Sequence, residues 1–262
     1  MSGSRAISDA VLTGSSAVSL GANPLYKRAV FTALGPRMEA PTLDYAAARD
    51  HMVDGQVRPN KVVDPRVIRA MRTLPRELFV PAHLRSLAYI DEDLPLPGGR
   101  CFIEPVVLAR LIQLARVRDG ERALVVGAGA GYGAAVLDAC GAEVTALEED
   151  EDLLARARQA LPAVAPGVTL QAGPVRDGVP GPWDVILIEG AVPEIPAAIA
   201  AQLSPQHGRL VTVLAQTPGL GQGVLAEPIN PGAPSPAVRA QAHFDCATPL
   251  LPMFQKRAGF QF

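Results

Sequence analysis

From about residue 123 to residue 214 the chain alternates short apolar runs with amphipathic stretches of helical length. The runs fall at residues 123–126, 144–147, 168–171, 185–188 and 210–214, and the stretches between them include 150–161 and 195–203. Nearly continuous apolar strands are buried on both faces, so this alternation predicts a doubly wound α/β fold: a parallel sheet with helices on each side. Upstream, between residues 43 and 89, the period is helical. Asp64 followed by Pro65 reads as an N-cap with proline at the first helical position, and Val67, Ile68, Met71 and Leu74 then share one face. Pro95, Pro97, Gly98 and Gly99 break the segment 93–104 into a turn-rich connection, and an apolar helix is expected from Pro105. Residues 216–262 are rich in proline and glycine, with a strand expected at 240–246 and an apolar tail at 250–254, the strands adding antiparallel to the sheet edge. Residues 1–37 show no sustained period and read as a poorly ordered extension, with Met38 an alternative start just ahead of the patterned region.

Composition narrows the function classes. At 262 residues and 48% hydrophobic, the chain suffices for one large core. The 24 basic and 26 acidic residues, a formal charge of −2, leave no field to draw it to nucleic acid or anionic lipid, so neither is expected as a partner. Cys101, Cys140 and Cys246 are widely spaced, without a CxxC pair or clustered histidines, which argues against a disulfide framework and against a metal site. A reducing, cytoplasmic setting follows as an expectation. No apolar run reaches the roughly 20 residues that span a bilayer, so a soluble protein with no membrane partner is expected.

The chemistry concentrates where the first core strand ends. Val126 is followed by Gly127-Ala128-Gly129-Ala130-Gly131-Tyr132-Gly133 and then by helical sequence from Ala134. Glycines at such a junction permit a tight turn and close approach of a ligand to the backbone, while the next helix offers free N–H groups at its positive end. A nucleotide-like ligand is the natural occupant, although a purely structural turn has the same appearance. The next strand ends in Glu148, 17 residues after Gly131, and a carboxylate there can accept both ribose hydroxyls of an adenosine. Glu149 and Asp150 are adjacent alternatives that suit an acidic helix start. A nicotinamide dinucleotide is disfavoured because its fingerprint is GxGxxG/A rather than GxGxG.

Around this loop the chain resembles the protein-L-isoaspartate O-methyltransferases. The words that carry the resemblance are Met52-Val53-Asp54-Gly55-Gln56-Val57-Arg58, the run from Val67 to Pro81, Leu87-Ala88-Tyr89 with Asp91 and Leu94-Pro95, the glycine loop Gly127–Gly131, Trp183-Asp184, Val192-Pro193-Glu194-Ile195-Pro196 and Gly208-Arg209-Leu210-Val211. The resemblance implies a seven-stranded Rossmann-like methyltransferase fold. It implies S-adenosyl-L-methionine as cofactor, held by Gly127, Ala128, Gly129, Gly131, Tyr132 and Glu148, and methyl transfer to a carboxylate of damaged protein. Residues 38–262 would then form a single domain: a helical lead-in and acceptor loop at 38–104, a cofactor-binding core at 105–215 and C-terminal strands at 216–262.

Three departures from the family bear on recognition, one of them, after the third core strand, on the adenine of the cofactor. Where the family's acceptor loop carries its serine, this chain reads Arg100-Cys101-Phe102-Ile103-Glu104-Pro105, with Ile103 at the serine position. Ile103 cannot donate a hydrogen bond, and Glu104 would repel an anionic acceptor unless protonated or paired with Arg100. The family's acid after the third core strand is replaced by Pro174, and Pro249 stands where a C-terminal arginine is usual. Together they point to a divergent branch, with a protein or peptide acceptor, a small-molecule acceptor, or binding without turnover as the alternatives. Cys101 reads as a small filler, since no histidine lies near it in sequence to activate a thiolate.

Overall fold

A computed structural model describes residues 43–217, 219–229 and 237–255. The extension expected at 1–37 lies outside them, as do the last residues of the tail. The lead-in begins with α1 (Tyr45–Met52), capped by the Asp44 carboxylate on the amides of Ala46 and Ala47, and runs on through one π-helical turn, Val53–Val57. Asp64 and Pro65 start α2 (Pro65–Thr73) as the sequence predicts, Asp64 accepting from the Arg66 amide. Val67, Met71 and Leu74 are buried and Ile68 is partly so. The turn-rich connection folds into a minimal antiparallel hairpin, β1 (Leu94–Pro95) with β2 (Cys101–Phe102), ahead of α3 (Pro105–Ala115).

The core sheet is built from β3 (Arg122–Val126), β4 (Glu143–Glu148), β5 (Thr169–Ala172), β6 (Val185–Val192), β7 (Arg209–Thr217), β8 (Leu220–Pro228) and β9 (Val238–Cys246). Their order across the sheet is β5-β4-β3-β6-β7-β8-β9. The pairs from β5 to β7 are parallel, and β7, β8 and β9 form an antiparallel meander at one edge. The connecting helices are α4 (Tyr132–Ala139), α5 (Glu151–Val164) and α6 (Ala197–Ala200). Inward side chains alternate strictly along the central strands. Ala123, Val125, Val185, Leu187, Val211 and Val213 pack with the lead-in, α3, α4 and α5, whereas Leu124, Val126, Ile186, Ile188 and Leu210 pack with Trp183, Ile199, Leu203 and Leu251 on the other face.

Two elements differ from the sequence reading. The helix expected at 195–203 is the single turn α6, because Pro196 delays its start and Trp183 and Leu203 then pair as a parallel bridge, drawing the chain back to the sheet. β6 extends four residues past its apolar run. Between Leu187 and Ala191 it advances four residues while β7, from Val211 to Val213, advances two, which makes a bulge holding Glu189 and Gly190. Thr212 Oγ1 donates to the Gly190 carbonyl across the bulge at 3.0 Å.

Strand order places the site. The chain winds outward from β3 through β4 to β5, then returns to the other side of β3 for β6 and β7. The crevice beyond the carboxyl ends of β3 and β6 is therefore the topological switch point, where open α/β sheets bind ligands. Because Met71 is fully buried in the same cluster as α3 and α4, Met71→Ala is expected to lower the unfolding free energy by about 2–5 kcal/mol within one cooperative urea transition. A separate transition for the lead-in would contradict the shared core.

Candidate cofactor and acceptor site

Gly127, Gly129 and Gly131 all adopt left-handed backbone, with φ of 68°, 57° and 98°. The loop they form is tied to the neighbouring strand by the amides of Gly127 and Ala128, which both donate to the Leu147 carbonyl at 3.0 Å. A side chain at Gly131 would press on Leu161, whereas at Gly129 it would meet open space. The loop is therefore a cradle closed at Gly131, covered by Arg100 and Leu251 at Gly127 and open at Gly129, at a strand-to-helix turn of the kind that binds nucleotides. Ala128 lies buried in its floor.

Glu148 ends β4 beside this cradle, with its carboxylate fully buried. The Gly129 amide donates to Oε2 at 2.7 Å, and the amides of Glu149 and Asp150 donate to Oε1 at 2.9 and 3.1 Å. Of the adjacent acids, Asp150 is the N-cap of α5, accepting from the amides of Asp152 and Leu153, and Glu149 accepts from the Val175 amide at 2.8 Å. Both have structural work, which leaves Glu148 as the carboxylate facing the loop.

The acceptor loop meets the same carboxylate. Arg100 Nη1 reaches both Glu148 oxygens, at 2.9 and 3.0 Å, and its Nη2 donates to the Gly127 carbonyl at 2.7 Å. The pairing of Arg100 with Glu104 considered from sequence is thus absent. Glu104 sits half-buried at the head of α3, its carboxyl raised to about 7 by burial and then by Asp93, Asp91 and Glu92. Ile103 is buried in the core cluster. Burial first, then Asp93, pushes the Cys101 thiol up to about 12, so it stays protonated at neutral pH and reads as a filler rather than a nucleophile.

Tyr132 is the first residue of α4 and is fully buried, its ring 5.4 Å from that of Phe79 and 5.6 Å from that of Phe102. Beside it lies a residue the sequence reading missed, Arg76. Its guanidinium is buried, stacks 3.9 Å from the Phe102 ring centroid, and donates to the carbonyls of Ala88 and Ile103. This cation pins the acceptor loop to the lead-in. Glu189 is the second residue missed. The β6 bulge buries it against α4, so close that a Cβ on Gly133 would collide with its carboxylate, and its Oε2 has no hydrogen-bond partner. Burial raises its carboxyl to about 8, opposed by Arg100 and Arg76 and reinforced by Glu148. Its sequence signal was a charged residue directly continuing an apolar strand, the same signal that marks Glu148. Pro249 does not bring a charge to this region; its carbonyl accepts from the Ala191 amide, and Leu251 returns a bond to the Ala191 carbonyl, packing the tail over Gly127 and Gly190. Among the described residues, no three His, Cys, Asp or Glu side chains gather as metal ligands, and no helix is long and apolar enough to cross a membrane.

A mixed seven-stranded sheet with a glycine turn at its switch point and a carboxylate on the next strand end is the arrangement of a Rossmann-like nucleotide-binding fold, a class that includes the S-adenosyl-L-methionine-dependent methyltransferases. The family model for protein-L-isoaspartate(D-aspartate) O-methyltransferase matches residues 47–220. A protein-L-isoaspartate O-methyltransferase of Methylorubrum extorquens is 42% identical over 67% of this chain and 78% of its own length, and that of Koribacter versatilis is 38% identical over 64% and 76%. A solved protein-L-isoaspartate O-methyltransferase superposes with a TM-score of 0.65 at 21% identity, covering 78% of this chain and 65% of its own. A Plasmodium falciparum structure so described, holding S-adenosyl-L-homocysteine, gives 0.61 at 16% identity over 81% of this chain and 100% of its own. The chain belongs to the protein-L-isoaspartate(D-aspartate) O-methyltransferase family, and its cofactor is S-adenosyl-L-methionine.

The Glu189 carboxyl keeps its proton to a higher pH in the folded protein than in the unfolded chain. Its contribution is therefore complete below the ordinary value of 4.5 and is lost as pH rises to about 8. Glu189→Gln should flatten the fall of melting temperature across that window and leave the variant the more stable protein above it. Parallel melting profiles for the two proteins would show that Glu189 carries no such shift.

Proposed function

We propose that the protein transfers the methyl group of S-adenosyl-L-methionine to a carboxylate of an L-isoaspartyl residue in damaged protein. The observation that carries this reading is the left-handed glycine turn beside the buried Glu148 carboxylate, at the carboxyl ends of β3 and β4. Gly127, Ala128, Gly129 and Gly131 would support the adenosine and methionine portions, and Glu148 the ribose hydroxyls. When bound, the sulfonium supplies an activated methyl group, so the protein's part is to hold the acceptor oxygen in line and exclude water. Arg76 and the aromatic rings of Phe79, Phe102 and Tyr132 do this by fixing the acceptor loop in a dry setting. Three free cysteines support a reducing, cytoplasmic location.

Glu104 replaces the family's neutral residue, and its raised titration point gives it two states near neutral pH. Protonated, it donates a hydrogen bond to an anionic acceptor; ionised, it repels one. A second reading, an acceptor less anionic than isoaspartate, draws on the same group together with Asp91 and Asp93, whose carboxyls are also raised by burial.

The test is transfer of labelled methyl to an isoaspartyl peptide against its normal aspartyl counterpart, with Glu148→Gln as control. Transfer to the isoaspartyl peptide alone is expected, with the variant binding cofactor about ten- to a hundredfold more weakly, as for a lost charge-assisted hydrogen bond. No transfer, with cofactor binding intact, would move the assignment to another acceptor. For wild type, the KM for the peptide should rise as pH increases through about 7. Glu104→Gln should remove that rise, and an unchanged pH profile in the variant would rule Glu104 out of acceptor recognition.

A further inference from the structure

Glu148 has no acceptor capacity left for a ribose. Oε1 accepts from Arg100 Nη1 and from the amides of Glu149 and Asp150, and Oε2 accepts from Arg100 Nη1 and from the Gly129 amide. A carboxylate offers about four lone-pair sites, and five donor contacts already converge on this one. Three come from backbone amides fixed by the glycine loop and by the turn into α5, which cannot withdraw without dismantling those turns. The remaining two come from a side chain.

That side chain fills the cradle itself. Arg100 Nη2 lies 3.1 Å from where a Cβ on Gly127 would stand, so the guanidinium occupies space that only a glycine leaves open. Its pairing is incomplete, because the buried Nε has no hydrogen-bond partner. Its loop has the means to move: Gly98 and Gly99, directly before it, are exposed and left-handed, with φ of 68° and 71°. We propose that Arg100 is an internal occupant of the ribose subsite, which the cofactor's ribose hydroxyls displace from Glu148, so that Arg100 sets cofactor affinity and couples cofactor arrival to the acceptor loop. This rests on the reading of the glycine loop and Glu148 as the cofactor site.

A destination for the displaced cation is at hand. Glu189 is buried with one oxygen unpartnered, and Arg100 is the cation that most favours its ionised form. Arg100 precedes Cys101, Phe102, Ile103 and Glu104 in the chain, so its departure from Glu148 shifts the acceptor side of the pocket. Cofactor therefore binds first and acceptor second.

Calorimetric titration with S-adenosyl-L-homocysteine, paired with thermal melts of the ligand-free proteins, tests this on wild type, Arg100→Ala and Arg100→Lys. Arg100→Ala should bind about ten- to a hundredfold tighter, the equivalent of one buried charge-assisted hydrogen bond, yet melt at a lower temperature without ligand, because Glu148 loses its partner. Arg100→Lys should stay close to wild type in affinity. Opposite signs for affinity and stability are the mark of a competitor, since a merely structural residue would weaken both together. The gain should appear with adenosine and vanish with dideoxyadenosine, which lacks the hydroxyl pair. Equal or weaker binding by Arg100→Ala would overturn the proposal while leaving the cofactor site in place. Failure of wild type and variant alike to bind S-adenosyl-L-homocysteine would overturn both readings. Should Arg100→Ala not fold, Arg100→Gln gives the same pair of measurements.

Discussion

The Glu148 carboxylate ties together three segments that are far apart in the chain: the glycine loop after β3, the turn into α5, and the loop carrying Arg100. Each contributes at least one donor, and each is positioned by the others through one pair of oxygens. A buried ion pair of this sort adds little net stability, because desolvation offsets most of the attraction, but removing either partner leaves a costly unpaired group. The arrangement thus specifies geometry more than it adds free energy.

Around that junction the fold supplies rigidity in layers. β6 is buried throughout and β3 from Ala123 onward, and their alternate residues feed two separate apolar clusters. The β6 bulge is the place where this regularity breaks, and it turns a carboxyl inward beside α4. Arg76, at the end of the lead-in, contributes a buried cation between two aromatic rings. The site is consequently assembled from the sheet on one side and the helical lead-in on the other, which explains why the lead-in shares its core with α3 and α4 rather than standing apart.

Much of this was legible from residue order. Apolar runs located β3, β4 and β7, the Asp64-Pro65 pair located α2, and the glycine spacing located the cradle, because these signals are local and repeat the period of the element they form. The bulge was not legible, since it depends on the register between β6 and β7, a relation between segments about twenty residues apart that no local period encodes. Arg100 shows the same limit. Its neighbourhood suggested Glu104, four residues on, but the loop folds so that the partner is Glu148, supplied by another strand end. The one-turn length of α6 likewise reflects the pull of the Trp183 and Leu203 bridge against a stretch whose composition suits a longer helix.

The charges inside the site are set against one another within a dry volume. The Arg100–Glu148 pair is neutral as a unit, Arg76 adds a cation whose basicity burial depresses, and Glu189 adds a carboxyl whose proton burial retains. A serine in place of Ile103 would add nothing to this balance. An arginine on the loop does, because it is tolerable in a dry pocket only while a carboxylate answers it; Glu148 answers it here, and Glu189 could do so only by giving up its proton.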